Sequence, residues 1–123
     1  MGSINLKNFT LDEFDSPDLP TSGQEMDYVF LSKLDNARDI ANIPFRITSG
    51  YRTASHNKQV GGVPDSAHTK GRAVDIAATG GRERYVIINA LQQAGFNRIG
   101  ISNSFIHVDD DPSKPEQVIW TYN

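Results

Sequence analysis

A chain of 123 residues has room for one compact domain with a single core. Its 37% hydrophobic and 9% aromatic content suits a folded globular chain, and its charge is too mixed for a disordered one. With 12 basic against 15 acidic residues and a net charge of -3, it lacks the basic surface that phosphate binding needs, so no nucleic-acid partner is expected. Cysteine is absent, which excludes disulfides and thiolate metal sites, so any metal must sit on nitrogen and oxygen. No apolar run approaches the roughly 20 residues that span a bilayer, and no membrane partner is expected. The opening Met1-Gly2-Ser3-Ile4-Asn5-Leu6-Lys7 lacks the basic and apolar regions of a secretory signal, so the expectation is synthesis in the cytoplasm.

No internal repeat interrupts the chain, which reads as one domain over residues 1–123 with a less regular N-terminal segment over 1–22. Thr10-Leu11-Asp12-Glu13 fits a capping box and predicts a short helical turn. The stretch from Asp15 to Pro20 reads as a loop. Ser22-Gly23-Gln24-Glu25 is a second capping box, expected to open an amphipathic helix with Met26, Phe30, Leu34, Ala37 and Ala41 at helical spacing, ended by Pro44. Phe45 to Thr48 predicts a short strand with Ser49-Gly50-Tyr51-Arg52 leaving its end, and Ala54 to Val60 a short helix stopped by Gly61-Gly62. A loop carries Asp65-Ser66-Ala67-His68, and Ala73 to Ala77 reads as a strand. Glu83 to Ala94 reads as a long helix with Ile87, Leu91 and Ala94 inward. Arg98 to Ile101 and Phe105 to Asp109 are strands joined at Ser102-Asn103-Ser104, and Val118 to Tyr122 is a last strand after a polar loop. Helices and antiparallel strands in segregated runs imply an α+β fold: a small antiparallel sheet with helices packed on it and a site on its open face.

Strand alternation singles out the chemistry. It puts Val74 and Ile76 on one face with Asp75 opposite, and Ile106 and Val108 on one face with Phe105, His107 and Asp109 opposite. If the two strands are near neighbours, Asp75 and His107 converge, and His68 in the preceding loop can complete a triangle. Two imidazoles and a carboxylate suit Zn²⁺, and three protein ligands leave a fourth position for water.

The segment Ser66-Ala67-His68-Thr69-Lys70-Gly71-Arg72-Ala73-Val74-Asp75 resembles the S-x-H-x-x-G-x-A-x-D motif of the M15 zinc peptidases, the D-alanyl-D-alanine carboxypeptidase family. Ser49-Gly50-Tyr51-Arg52 with Asn57, Gly61 and Gly62 resembles that family's arginine-bearing segment, and Phe105-Ile106-His107-Val108-Asp109 its last ligand strand. The resemblance implies that His68, Asp75 and His107 are zinc ligands and that Arg52 orients substrate oxygens beside the metal. It also implies peptidoglycan stem peptides as the partner, with the protein acting as a monomer at the cell wall after release or export. A fixed guanidinium suits that role, since it can clamp a carboxylate or an oxyanion. Gly71 is expected to turn the backbone sharply between His68 and its strand, and Ser66 to hold the loop.

Where many relatives carry a general-base carboxylate, three residues before the last ligand histidine, this chain has Ser104. Asp109, on the same strand face as His107, is expected as the substitute base; its alternative role is partner of a ligand histidine. His56 reads as an exposed or capping histidine, Asp110 and Asp111 as a solvated loop, and Tyr51 and Trp120 as packing residues. Within the resemblance, carboxypeptidase and endopeptidase action both remain open. A small catalytic domain of this kind is similar to bacteriophage and prophage lysis enzymes. The same architecture also resembles the zinc-bearing signalling domain of hedgehog proteins, which leaves a non-catalytic binding domain as the alternative.

Overall fold

The computed structural model describes residues 5–122; Met1 to Ile4 of the stretch read for a signal lie outside the described residues. The α+β class holds. Among the described residues, three α-helices, α1 (Tyr28–Ala41), α2 (Ala54–Gln59) and α3 (Gly81–Gln93), accompany a five-stranded sheet. Its strands are β1 (Ile47–Ser49), β2 (Ala73–Ala77), β3 (Arg98–Ile101), β4 (Phe105–Asp109) and β5 (Val118–Thr121), in the order β1-β2-β4-β3-β5. No helix among the described residues is long and apolar enough to cross a membrane.

The first four strands pair antiparallel, as expected, but β5 runs parallel to β3. The reason is the path of the chain. β4 returns antiparallel to β3 and ends beside its start, and the loop over residues 110–117 crosses there, so β5 sets out in the direction of β3.

One face of the sheet is the core. Val74, Ile76, Ile106, Val108 and Ile99 are fully or almost fully buried under α1 and α3, which supply Phe30, Leu31, Leu34, Ile87 and Leu91. Each such side chain contributes about 1.5–3 kcal/mol by leaving water. Phe9 and Phe14 join the same core with ring centroids 5.5 Å apart and planes tilted by 57°, so the less regular start of the chain is tied down.

Helix α1 begins later than the capping signal at Ser22 predicts. Ser22–Glu25 forms its own 3₁₀ turn, and the Ser22 hydroxyl instead accepts the Ser16 N–H at 2.7 Å. The cap of α1 is Asp27, whose carboxylate accepts the Phe30 N–H at 2.9 Å. The apolar spacing is right nonetheless: Met26, Phe30, Leu34 and Ala37 are all buried. The chain leaves the helix at Asn42, in the left-handed conformation (φ 55°), before Pro44 is reached.

Candidate metal centre

The opposite face of the sheet carries one rung of functional residues. Cross-strand pairing sets Ser49 beside Asp75, Asp75 beside His107, His107 beside Gly100, and Gly100 beside Trp120. Because neighbours in a rung share a face, the alternation that buries Val74, Ile76, Ile106 and Val108 turns Asp75 and His107 toward each other.

His68 reaches this rung from a 3₁₀ turn, Ala67–Lys70. The Ser66 hydroxyl caps the turn by accepting the His68 N–H at 3.2 Å, and in this way holds the loop. Gly71 closes the turn with φ 70°, and a Cβ there would lie 2.4 Å from the Glu25 carbonyl oxygen. The turn thus has both a left-handed exit and no room for a side chain. Its carbonyl accepts the Asp27 N–H at 2.8 Å, which docks the His68 turn on the start of α1.

The three candidate ligands are buried, and their ligand atoms lie within 4.8 Å of one another. His68 Nδ1 is 2.8 Å from the Gly50 carbonyl, which can only accept, so a neutral ring carries its proton there and turns the Nε2 lone pair inward. That Nε2 is 3.4 Å from Asp75 Oδ1. His107 Nδ1 lies 2.9 Å from the same oxygen, while its Nε2 lies 2.7 Å from Asp109 Oδ2. Two imidazole nitrogens and a carboxylate oxygen so grouped fit a divalent metal of zinc's preferences.

Electrostatics agree with a cation's place. Burial works against ionising Asp75, yet hydrogen bonds with His107 and His68 outweigh it and hold the carboxyl well below the usual range. Burial also opposes a charge on His107, but Asp109 and Asp75 together push its pKa up. Arg52 stands at the edge of the group, its Nη2 3.7 Å from Asp75 Oδ2. Ser49 Oγ accepts from Arg52 Nε at 3.2 Å and Asn57 Oδ1 from Nη1 at 3.2 Å, so the guanidinium is held in place. A cleft of about 440 Å³ opens over these residues, bordered also by Lys114, Trp120 and Tyr122.

Asp109 lies beside the site with both carboxylate oxygens engaged. It is 2% exposed; its Oδ1 accepts from Arg98 Nε at 2.7 Å and from the Asp111 N–H at 3.2 Å, and its Oδ2 faces His107. Of the two roles open to it from sequence, this geometry supports the partner of a ligand histidine. Ser104 is exposed in the β3–β4 turn and does not border the cleft. Among the described residues, the only carboxylates that border the cleft are Asp75 and Asp109.

Several side chains depart from the sequence reading. Asp111 is buried rather than solvated, bridged by Lys70 Nζ at 2.8 Å and Lys114 Nζ at 2.9 Å. Asp110 pairs with Arg72 at 3.0 Å. The cause is the crossing loop, which folds back over the His68 turn and brings Lys70 under the acidic run. Trp120 does pack, but its partner is His107, with ring centroids 5.5 Å apart. Tyr51 packs against the core, as expected, and His56 lies outside the ligand group.

Arg98 is the residue that sequence reading passed over. Its only signal is parity: Arg98 and Gly100 alternate with Ile99 and Ile101, which puts a charged side chain on the face of His107 and Asp109.

Residues 7–109 match the family described as Peptidase M15. The matched span contains Arg52, His68, Asp75, His107 and Asp109, and ends before β5 with Trp120 and Tyr122. No curated protein matches the chain.

Proposed function

The chain belongs to the peptidase M15 family, and from that premise we propose that it is a zinc-dependent peptidase acting on peptidoglycan stem peptides. The observation that carries the reading is the convergence of His68, Asp75 and His107 on one buried point with Arg52 held beside it. His68 Nε2, an Asp75 oxygen and His107 Nδ1 would hold the ion. When bound, zinc supplies a Lewis acid for the scissile carbonyl and a water of lowered pKa.

The chain's own residues do the rest. Arg52 presents a guanidinium at the rim of the cleft, where it can bind a substrate carboxylate or steady the oxyanion that forms as water adds to the carbonyl. Stem peptides end in free carboxylates, which suits that arginine. Arg98 and Lys114 also border the cleft, each paired with a buried aspartate, and Trp120 with Tyr122 gives it an aromatic wall. The open cleft admits a chain end or an extended peptide, so product analysis separates trimming from internal cleavage.

The test is incubation of zinc-loaded protein with purified peptidoglycan, with released products identified by mass spectrometry. Free D-alanine indicates a carboxypeptidase and larger peptides an endopeptidase; either must vanish in His68→Ala. Absence of product despite stoichiometric zinc would overturn the substrate reading and favour a binding role for the same site.

A further inference from the structure

Arg98 is buried at 9% exposure, one position beyond the Ile99–Val108 pair, directly across from Asp109 on the site face. Its side chain is fixed at three points. Nε donates to Asp109 Oδ1 at 2.7 Å, Nη1 donates to the Pro115 carbonyl, and the guanidinium carbon lies 5.0 Å from the centre of the Trp120 ring. Asp109 in turn receives His107 Nε2 at 2.7 Å. A chain of contacts therefore runs from the crossing loop and β5, through Arg98 and Asp109, to the far nitrogen of a candidate metal ligand.

We propose that Arg98 and Asp109 form a positioning pair that fixes the ring of His107 with Nδ1 toward the metal, and that Asp109 does not act as the base. The inference rests on the zinc reading above. An imidazole has two nitrogens, and the one that donates to a carboxylate leaves the other as the ligand. Asp109 can set this only if it cannot swing, and Arg98 with the Asp111 N–H holds its Oδ1. A proton acceptor for a metal-bound water needs an oxygen open to the cleft, whereas Asp109 is 2% exposed with three donors on its two oxygens. Replacing a buried ion pair with apolar residues is often neutral for stability, so the consequence expected of this pair is local: the orientation of one ring.

The experiment measures zinc affinity by competition with a chromophoric chelator, in the full chain and in Asp109→Ala, Asp109→Asn and Arg98→Met. The visible spectrum of the cobalt-substituted proteins serves as a second readout, and circular dichroism checks folding. Loss of the pair should weaken zinc about 10–100-fold in Asp109→Ala, the range typical of removing a ligand's hydrogen-bond partner. Arg98→Met, with Asp109 intact, should weaken zinc in the same direction and alter the cobalt spectrum. The Asp109→Ala/Arg98→Met double variant should lose less than the two single losses combined. Should Asp109→Ala fail to fold, the near-isosteric Asp109→Asn carries the comparison. Wild-type zinc affinity and an unchanged cobalt spectrum in Asp109→Asn, with turnover abolished, would overturn the proposal and restore Asp109 as the base. No zinc binding by the wild-type chain would overturn the metal reading itself, and the pair's role with it.

Discussion

Replacing Gly71 by alanine probes the joint between the His68 turn and the first helix, and Gly61→Ala supplies its control. Both glycines have left-handed backbones, φ 70° at Gly71 and φ 75° at Gly61. An alanine in that conformation costs about 1–2 kcal/mol, offset by about 0.4–1 kcal/mol from a less flexible unfolded chain, and both variants share these terms. They differ in surroundings. A Cβ at Gly61 meets nothing within 4 Å, whereas one at Gly71 would lie 2.4 Å from the Glu25 oxygen and 2.9 Å from Met26 Cα. Overpacking of this kind costs about 1–3 kcal/mol. At about 4 °C per kcal/mol for a domain of this size, Gly71→Ala should melt about 4–12 °C below Gly61→Ala. Thermal unfolding followed by circular dichroism reads the difference. Zinc titration should show weaker binding in Gly71→Ala alone, because His68 rides on the displaced turn. Equal melting temperatures would refute the close docking of that turn on Glu25 and Met26.

Other perturbations test the site from different sides. Arg52→Ala should lower kcat by about 10²–10³, the usual loss of one oxyanion-stabilising donor, while metal content by mass spectrometry stays at one ion per chain; loss of the metal would make Arg52 a support for Asp75 instead. In Asp111, burial disfavours the charge, but Lys114 and Lys70 more than offset it and hold the carboxyl well below the usual range. A depressed folded pKa gives stability that is present above the unfolded value of about 3.9 and lost as pH falls through the folded one. Asp111→Asn should therefore melt below the wild type at pH 7, by an amount corresponding to about 3 kcal/mol, and the gap should close as pH falls below about 4. A gap independent of pH would assign the loss to something other than this charge. A Cβ at Gly100 would stand 2.7 Å from Trp120 Nε1 and 2.8 Å from Tyr122 Cε2, so Gly100→Ala should push both rings off the site. Trp120 is the only tryptophan, and a shift in its emission reports that movement directly; an unchanged spectrum would contradict the contact.

The parts of the site that follow from alternation were readable in the chain. Val74-Asp75-Ile76 and Ile106-His107-Val108 each bury their apolar pair, so the face of the polar residue was determined once the strands were recognised. Gly71 was legible as the sharp turn between His68 and its strand, whereas the 3₁₀ turn that Ser66 caps reads in the sequence as a plain loop. What was not readable depends on which strands become neighbours. Arg98 has no local motif, and its pairing with Asp109 arises only when β3 lies against β4. The contact of Trp120 with His107 needs β5 to cross over to β3 and a residue without a side chain between them, at Gly100. The start of α1 was misplaced because Ser22 and Asp27 both carry capping chemistry, and a distant bond from Ser16 to Ser22 decides which of them caps. Burial of Asp111 was hidden for a similar reason, since Lys70 lies far from it in sequence.

The proposed activity depends on a single zinc held by His68, Asp75 and His107. An anomalous difference map from crystals of the zinc-loaded protein, collected on either side of the zinc edge, tests it most directly. One strong peak is expected within about 2.0–2.2 Å of a nitrogen of each histidine and an oxygen of Asp75. A peak bonded to any other set of residues, or none in zinc-saturated crystals, would contradict it.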